Sequence, residues 1–329
     1  MPHADISFLT WIEHRRTREI SVRLGFELVE IVTRQRGVRR YAELTLRTMR
    51  FLRQRRPKVL VVQSPSIVLA ILTVLLRPFF GYVLLFDAHN EAVEPHLHPS
   101  AAVRAISRWL VRTAEGTIVT NQPLAERVRD QGGTPLVLTD PIPSAPQVAA
   151  RPLEGAFNVV LISTFAGDEP FEAVIAAVRL LPSDVHFYVT GNPNRLAAEV
   201  RASVPSNMTL TGFLDEQDYW NLLASSDAIM DLTTMPDCLV CGAYEAIAVD
   251  KPIILSDNSA SIETFRDFAE FTSNNPRSIA GAVARLRTEY TKRIGGMPSS
   301  KSNFEARWSE QSALVLAVAQ GHKLDRHTP

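Results

Sequence analysis

The sequence is short of cysteine: Cys238 and Cys241 are the only two in 329 residues. One Cys-x-x-C pair cannot build a disulfide framework, and zinc would need two further ligands. Both cysteines are therefore expected as loop or core residues, in a reducing compartment. Net charge is also absent, since Lys+Arg and Asp+Glu each number 35, so the overall balance gives no reason to expect nucleic acid as a partner. No apolar run approaches the ~20 residues of a spanning helix. The strongest, Ile67 to Leu76, is expected to stop at Arg77-Pro78. Met1 to Asp5 is not basic, and Glu13-His14-Arg15-Arg16 interrupts the first apolar run. No secretory leader is expected, hence a cytoplasmic location. A G-x-x-x-x-G-K-[ST] phosphate loop, a D-x-D motif on a strand end, internal repeats and low-complexity segments are missing too. His96 and His98, between Pro95 and Pro99, form a His-x-His pair with no identifiable third ligand, so no metal is expected.

What is present is an apolar content of 46%, ample for two cores in a chain of this length. Charge is unevenly placed. Residues 1–60 hold 14 Lys/Arg against 6 Asp/Glu, a local balance of +8 that the remainder offsets. A basic N-terminal region suits an anionic acceptor or an anionic membrane surface, and a set of solvated helix faces explains it equally well.

Apolar runs and helical spacings alternate along the chain. Strands are predicted at Ile6 to Ile12, Phe26 to Val32, Lys58 to Gln63, Tyr82 to Phe86, Gly116 to Thr120 and Pro135 to Leu138. Helices are predicted between them, including Tyr41 to Arg55 with Leu44, Leu46, Met49 and Leu52 at helical spacing. Asp140 to Gly155 is rich in Pro and Ala, lacks periodicity and reads as a linker. The alternation restarts with strands at Asn158 to Ile162, Val185 to Thr190, Met208 to Thr211 and Ala228 to Asp231, a helix at Arg195 to Ser203 among those between them, and a terminal helix at Phe304 to Ala319. Short βαβ connections imply doubly wound parallel sheets. The expected class is α/β, with Rossmann-like domains at residues 1–148 and 149–329.

The stretch from Asp231 to Asn258 concentrates the candidate chemistry. It runs from a strand end through a loop, along a helix and into another strand. Val240, Cys241 and Gly242 bring little side-chain charge to the helix N-terminus, whose unpaired amides and positive dipole suit a diphosphate. Glu245, about one turn further in, is placed to accept hydrogen bonds from sugar hydroxyls, and Asp237 precedes the helix.

This stretch resembles the donor-site signature of GT-B glycosyltransferases, especially the large family 4, E-P-F-G-x-x-x-x-E-A-x-A-x-G-x-P-V-I. Asp237 stands for the first Glu, Glu245-Ala246 for the second Glu and its Ala, and Lys251-Pro252-Ile253-Ile254 for the end. Departures fall at Asp237, at Cys238-Leu239-Val240 and at Asp250. The resemblance implies two domains facing across a crevice, with the C-terminal one holding a nucleoside-diphosphate sugar. It implies Glu245 on the ribose, Asp237 on the donor sugar and the amides near Val240 to Gly242 on the diphosphate. Metal is usually dispensable in this fold, where helix dipole and amides receive the leaving diphosphate. It also implies a terminal helix, 304–319, that crosses back to the first domain.

Ser163-Thr164-Phe165-Ala166-Gly167-Asp168-Glu169 follows the first strand of the second domain. The family usually carries an Arg and a Lys in this loop, and neither is present here. The pattern S-T-x-x-x-D-E-x-F is instead similar to that of dolichol-pathway β-1,4-mannosyltransferases, as are Gln63-Ser64-Pro65 and Asp87-Ala88-His89-Asn90. Ser163 and Thr164 are candidates to hold phosphate with backbone amides. His89 is a candidate for donor phosphate or sugar, and Asp87 or Glu91 for a general base towards an acceptor hydroxyl. Gly191 with Asn192-Pro193, and Gly212 with Phe213-Leu214, take the positions that flank the nucleotide base. The function implied is sugar transfer from a UDP or GDP donor to a carbohydrate or lipid-linked acceptor, in polysaccharide or glycoconjugate synthesis, with no cofactor beyond that co-substrate. Two alternatives stay open: a GT-B sugar-nucleotide epimerase, and a catalytically silent binding or scaffold protein.

Overall fold

The computed structural model describes residues 5–64, 66–88, 93 and 100–321. The expectations placed on Pro65, His89, Asn90, Glu91, His96 and His98 lie outside these residues. The chain forms two compact units: Met1–Pro141 with Ala306–Pro329, and Ile142–Glu305.

In the first unit the order is β1 (Ile6–Thr10), α1 (Arg15–Leu24), β2 (Glu27–Glu30), α2 (Gly37–Arg55), β3 (Val59–Ser64), α3 (Ile67–Phe80) and β4 (Val83–Ala88). It continues with α4 (Ala101–Thr113), β5 (Gly116–Val119), α5 (Gln122–Asp130) and β6 (Pro135–Val137). The six strands are parallel in the order β2-β1-β3-β4-β5-β6. β3 is buried throughout because both its faces are covered. Val59 and Val61 pack with Ile20 and Leu24 of α1, while Leu60 and Val62 pack with Leu44 and Leu52 of α2 and Leu69 of α3. This is the two-residue alternation of a strand sorting side chains to opposite faces.

The second unit runs β7 (Phe157–Leu161), α6 (Phe171–Val178), β8 (Val185–Thr190), a 3₁₀ turn (Pro193–Arg195), α7 (Ala198–Ala202), β9 (Met208–Gly212) and α8 (Glu216–Ser225). Then come β10 (Ala228–Asp231), α9 (Cys241–Ala248), β11 (Ile253–Ser256), α10 (Ser259–Phe265), β12 (Ala269–Thr272), α11 (Pro276–Thr288) and α12 (Tyr290–Ala319). Its six parallel strands lie in the order β12-β11-β10-β7-β8-β9. The order reverses at β7 and β10, so the crevice outside the carboxyl ends of those two strands is where such a sheet places a ligand. Val159 and Leu161 face α6 and α11, and Val160 faces α8 and α9.

Three elements differ from the sequence expectation. α3 continues past Arg77-Pro78 to Phe80. Pro78 sits in the last turn, where its missing N–H forfeits one bond, and Gly81 closes the helix with φ 72° and an amide bond to the Arg77 carbonyl at 2.8 Å. The helix expected from Arg195 to Ser203 is a 3₁₀ turn and a short helix, because the Asn192 side chain accepts the Asn194 amide and caps a turn at Pro193. The terminal helix starts at Tyr290 rather than Phe304. Gly295, Gly296 and Pro298, all poor helix formers, conceal its first half in the sequence.

From Ala306 onward α12 belongs to the first unit. There the Trp308 indole donates to the Thr139 carbonyl at 3.2 Å, and the side-chain Oε1 of Gln311 accepts from both the amide and hydroxyl of Thr139 at 3.0 Å. Among the described residues no helix is long and apolar enough to cross a membrane.

Candidate functional site

The candidate residues of the second unit gather at the carboxyl ends of its strands. β10 ends at Asp231, and α9 begins ten residues later with Val240 as its N-cap. Val240 has no side-chain acceptor, so the helix start lacks the usual side-chain cap. Asp231 acts in its place: its Oδ2 accepts the Gly242 amide at 3.0 Å. Only glycine permits this approach, since a Cβ at 242 would lie 2.5 Å from that oxygen and 2.6 Å from the Ile162 side chain. Burial, the largest cause, holds the Asp231 carboxyl well above the usual carboxylate range. The Gly242 amide opposes that shift, and the charges of Glu245, Glu169 and Asp168 add to it.

Glu245 is buried in α9, and its Oε2 accepts the Tyr219 hydroxyl of α8 at 2.5 Å. Asp237 lies in the loop before α9 with φ 53°, and its Oδ1 accepts the Ser259 hydroxyl at 2.7 Å. The Asn258 side chain donates to the Cys238 carbonyl at 3.2 Å. Both cysteines are free thiols. Burial first, and then the charges of Asp231 and Asp168, push the Cys238 thiol up to about 11, so it is protonated and unreactive at neutral pH.

The loop after β7 is organised around Glu169. Its carboxylate accepts the Ser163 hydroxyl at 2.5 Å, the Thr164 hydroxyl at 2.7 Å, the Thr164 amide at 3.0 Å and the Phe165 amide at 2.9 Å. The donors that the sequence offers to a phosphate are thus engaged by an internal anion. Gly191 packs against the same loop with φ 100°, and a Cβ there would lie 2.3 Å from the Ser163 carbonyl oxygen. Phe213 is exposed, and Leu214 packs partly against the core beneath α9.

Hydrogen bonds also tie the strand ends together. Asp168 accepts the Thr233 hydroxyl at 2.7 Å, and its carbonyl accepts the Thr234 amide at 2.7 Å, joining the loops after β7 and β10. Ser256 at the end of β11 accepts the Thr233 amide at 3.0 Å and donates to Asn274 at 2.9 Å. Asn274 in turn donates to the Thr233 carbonyl at 2.9 Å. Sequence reasoning passed over Asp231, Tyr219, Thr233 and Asn274. Of these, only Asp231 carried a signal, as an acid at the carboxyl end of a strand.

In the first unit Asp87 is the penultimate residue of β4 and is buried. Its Oδ1 accepts from the Arg16 guanidinium at 3.2 Å. Arg16, itself buried, also donates to the Leu138 carbonyl at 3.0 Å and pairs with Asp140. Asp87 thereby braces α1 against β4 and the segment after β6. His14, just before α1, lies in the field of both groups. Burial, the largest cause, pulls its pKa down; Asp87 opposes this and Arg16 reinforces it. Among the described residues no group of three or more His, Cys, Asp or Glu side chains is arranged to hold a metal ion.

Two six-stranded parallel sheets with flanking helices, each an α/β unit, make this the GT-B fold. No protein-family model matches the chain, and no curated protein matches it. Solved structures match it along nearly their whole length. Anabaena HepE in complex with UDP and glucose superposes with a TM-score of 0.72 at 12% identity, over 97% of this chain and 100% of that chain. Sucrose-phosphate synthase from Thermosynechococcus elongatus gives 0.68 at 14%, over 96% and 88%. A chain from Listeria monocytogenes carrying the name of a UDP-N-acetylglucosamine 2-epimerase gives 0.60 at 14%, over 97% and 98%. Identities this low carry the fold and leave the reaction to the side chains.

Proposed function

We propose that the protein is a glycosyltransferase that moves a hexose from a nucleoside-diphosphate sugar to a carbohydrate or lipid-linked acceptor. One observation carries the reading: α9 starts at the strand-order reversal, where Val240 brings no side-chain acceptor of its own and Asp231 takes the Gly242 amide, and the buried carboxylate of Glu245 follows one turn in. Helix amides and dipole there suit a diphosphate, and Glu245 suits ribose hydroxyls. The UDP and glucose bound to the similarly folded HepE support a sugar nucleotide as donor. In this reading Asp237 contacts the donor sugar, Gly191, Phe213 and Leu214 border the base, and leaving-group charge is met by amides at Val240 to Gly242 without a metal. If the reaction inverts, the base towards the acceptor is Asp87 or Glu91, with His89 nearer the donor.

The basic first unit is proposed to meet the acceptor at an anionic membrane surface. Val38, Ala42, Leu46 and Met49 form an exposed stripe on α2 at helical spacing, flanked by exposed Arg39, Arg50 and Arg53. Such a face lies in a lipid headgroup region with its arginines on anionic lipid.

The fold also hosts the epimerase-named chain, so the alternative has a specific support. Thermal-shift screening with UDP, GDP and their sugars separates either enzyme from a silent scaffold. Product analysis without acceptor then separates epimerase from transferase: a free epimerised sugar nucleotide would contradict transfer.

A further inference from the structure

The Ser163–Phe165 loop carries no Lys or Arg, yet its donors converge on one anion. The successive amides of Thr164 and Phe165 point to the same carboxylate, with Phe165 in the left-handed region at φ 55°, as in the backbone nests that bind phosphate. Two hydroxyls and two amides of this loop meet the Glu169 carboxylate. Arg195 stands behind the same backbone. Its Nη1 donates to the Thr164 carbonyl at 2.8 Å, the far end of the peptide whose N–H, on Phe165, faces Glu169. A cation on that carbonyl adds to the peptide dipole and strengthens the amide as a donor. Arg195 is exposed, and it brings a cation to the backbone of the loop after β7. Glu169 and Arg195 line one cavity of about 360 Å³, together with Phe165, Phe171, Glu172 and Leu196.

We propose that Glu169 is a built-in competitor for phosphate: it fills the Ser163–Phe165 nest until a phosphate group of the donor displaces it, and Arg195 is the positioning residue that strengthens the nest from behind. The inference rests on the sugar-nucleotide reading and deepens it. A phosphate presents the same acceptors as the carboxylate with more charge, and the adjoining cavity gives the displaced side chain room to move. The loop thus binds an anion without carrying a cation of its own.

The test is titration of the full chain with inorganic pyrophosphate, following the amide resonances of Thr164 and Phe165. Glu169→Gln removes the competing charge and keeps the shape, so pyrophosphate should bind about tenfold tighter than to the wild type, the scale of one charge-assisted hydrogen bond. Adding Arg195→Gln to that variant should reverse most of the gain. If Glu169→Gln does not fold, Glu169→Asp, whose carboxylate is one methylene shorter, must show the same direction. Equal or weaker pyrophosphate binding by a folded Glu169 variant would overturn the proposal. The probe is inorganic, so the two readings fail separately. Pyrophosphate exchange without any sugar-nucleotide binding sinks the donor reading alone, and donor turnover with unmoved Thr164 and Phe165 amides sinks the competitor alone.

Discussion

The carboxyl of Asp231 and the backbone amide of Gly242 meet at 3.0 Å, so a side chain from the end of β10 caps α9 from outside the helix. Burial raises the folded pKa of this carboxyl above its unfolded value. The folded state then binds more protons than the unfolded chain, and the contribution of Asp231 is full below the ordinary aspartate range and lost as pH rises through the raised value. Asp231→Asn retains an acceptor for Gly242 and removes this titration. The variant is expected to be more stable than the wild type at pH 7 and to lose that advantage in acid. Urea unfolding at several pH values checks it, and a less stable variant at pH 7 would contradict it.

His14 gives the opposite pH dependence. Its folded pKa lies below 6.5, so the unfolded chain binds the extra proton and stability rises with pH. The contribution of His14 is full above 6.5 and lost as pH falls through the depressed value. His14→Gln should flatten the stability curve on the acid side of 6.5 and leave it unchanged at pH 8. An equally steep acid limb in the variant would assign the loss to other groups.

Asp87→Asn tests two roles at once. Removing one partner of a buried ion pair costs about 3–5 kcal/mol, and Arg16 keeps Asp140 and the Leu138 carbonyl, so a loss below that range is expected. If the reaction inverts with Asp87 as base, turnover also falls by at least ~10²-fold with donor affinity intact. Arg16→Gln serves as the control: it should lose stability without that turnover loss. Equal turnover in the two variants would leave Asp87 as a brace only.

The α/β class and the succession of strands along the chain were legible in the sequence because parallel strands buried on both faces read as continuous apolar runs, as in Val59–Ser64, whereas the order of strands within each sheet was not. The helix starting near Gly242 was legible from the strand-loop-helix spacing after Asp231. The Arg16–Asp87 pair was not, since its members are 71 positions apart and nothing local marks a buried arginine. Ser163, Thr164 and Glu169 were visible as a motif. That Glu169 turns back onto the two hydroxyls depends on the left-handed backbone at Phe165, and composition does not announce that conformation in a phenylalanine.

The exposed face of α2 sets a further expectation. Arg39, Arg50 and Arg53 changed together to Gln should weaken co-sedimentation with vesicles containing anionic lipid, by about 1 kcal/mol per charge at low salt. Neutral vesicles should bind neither form. Wild-type protein that fails to sediment with anionic vesicles would remove the membrane from the account.

The most direct test is calorimetric titration of the wild type and of Glu245→Ala with UDP- and GDP-sugars. The buried Glu245 carboxylate is the group assigned to the ribose, and it accepts the Tyr219 hydroxyl, so Tyr219→Phe controls for the loss of that internal bond. The account predicts one bound sugar nucleotide in the wild type. It predicts a loss of about 1.5–3 kcal/mol in Glu245→Ala with the fold intact, and a smaller loss in Tyr219→Phe. Undiminished affinity in a folded Glu245→Ala variant, or no sugar-nucleotide binding by the wild type, would contradict it.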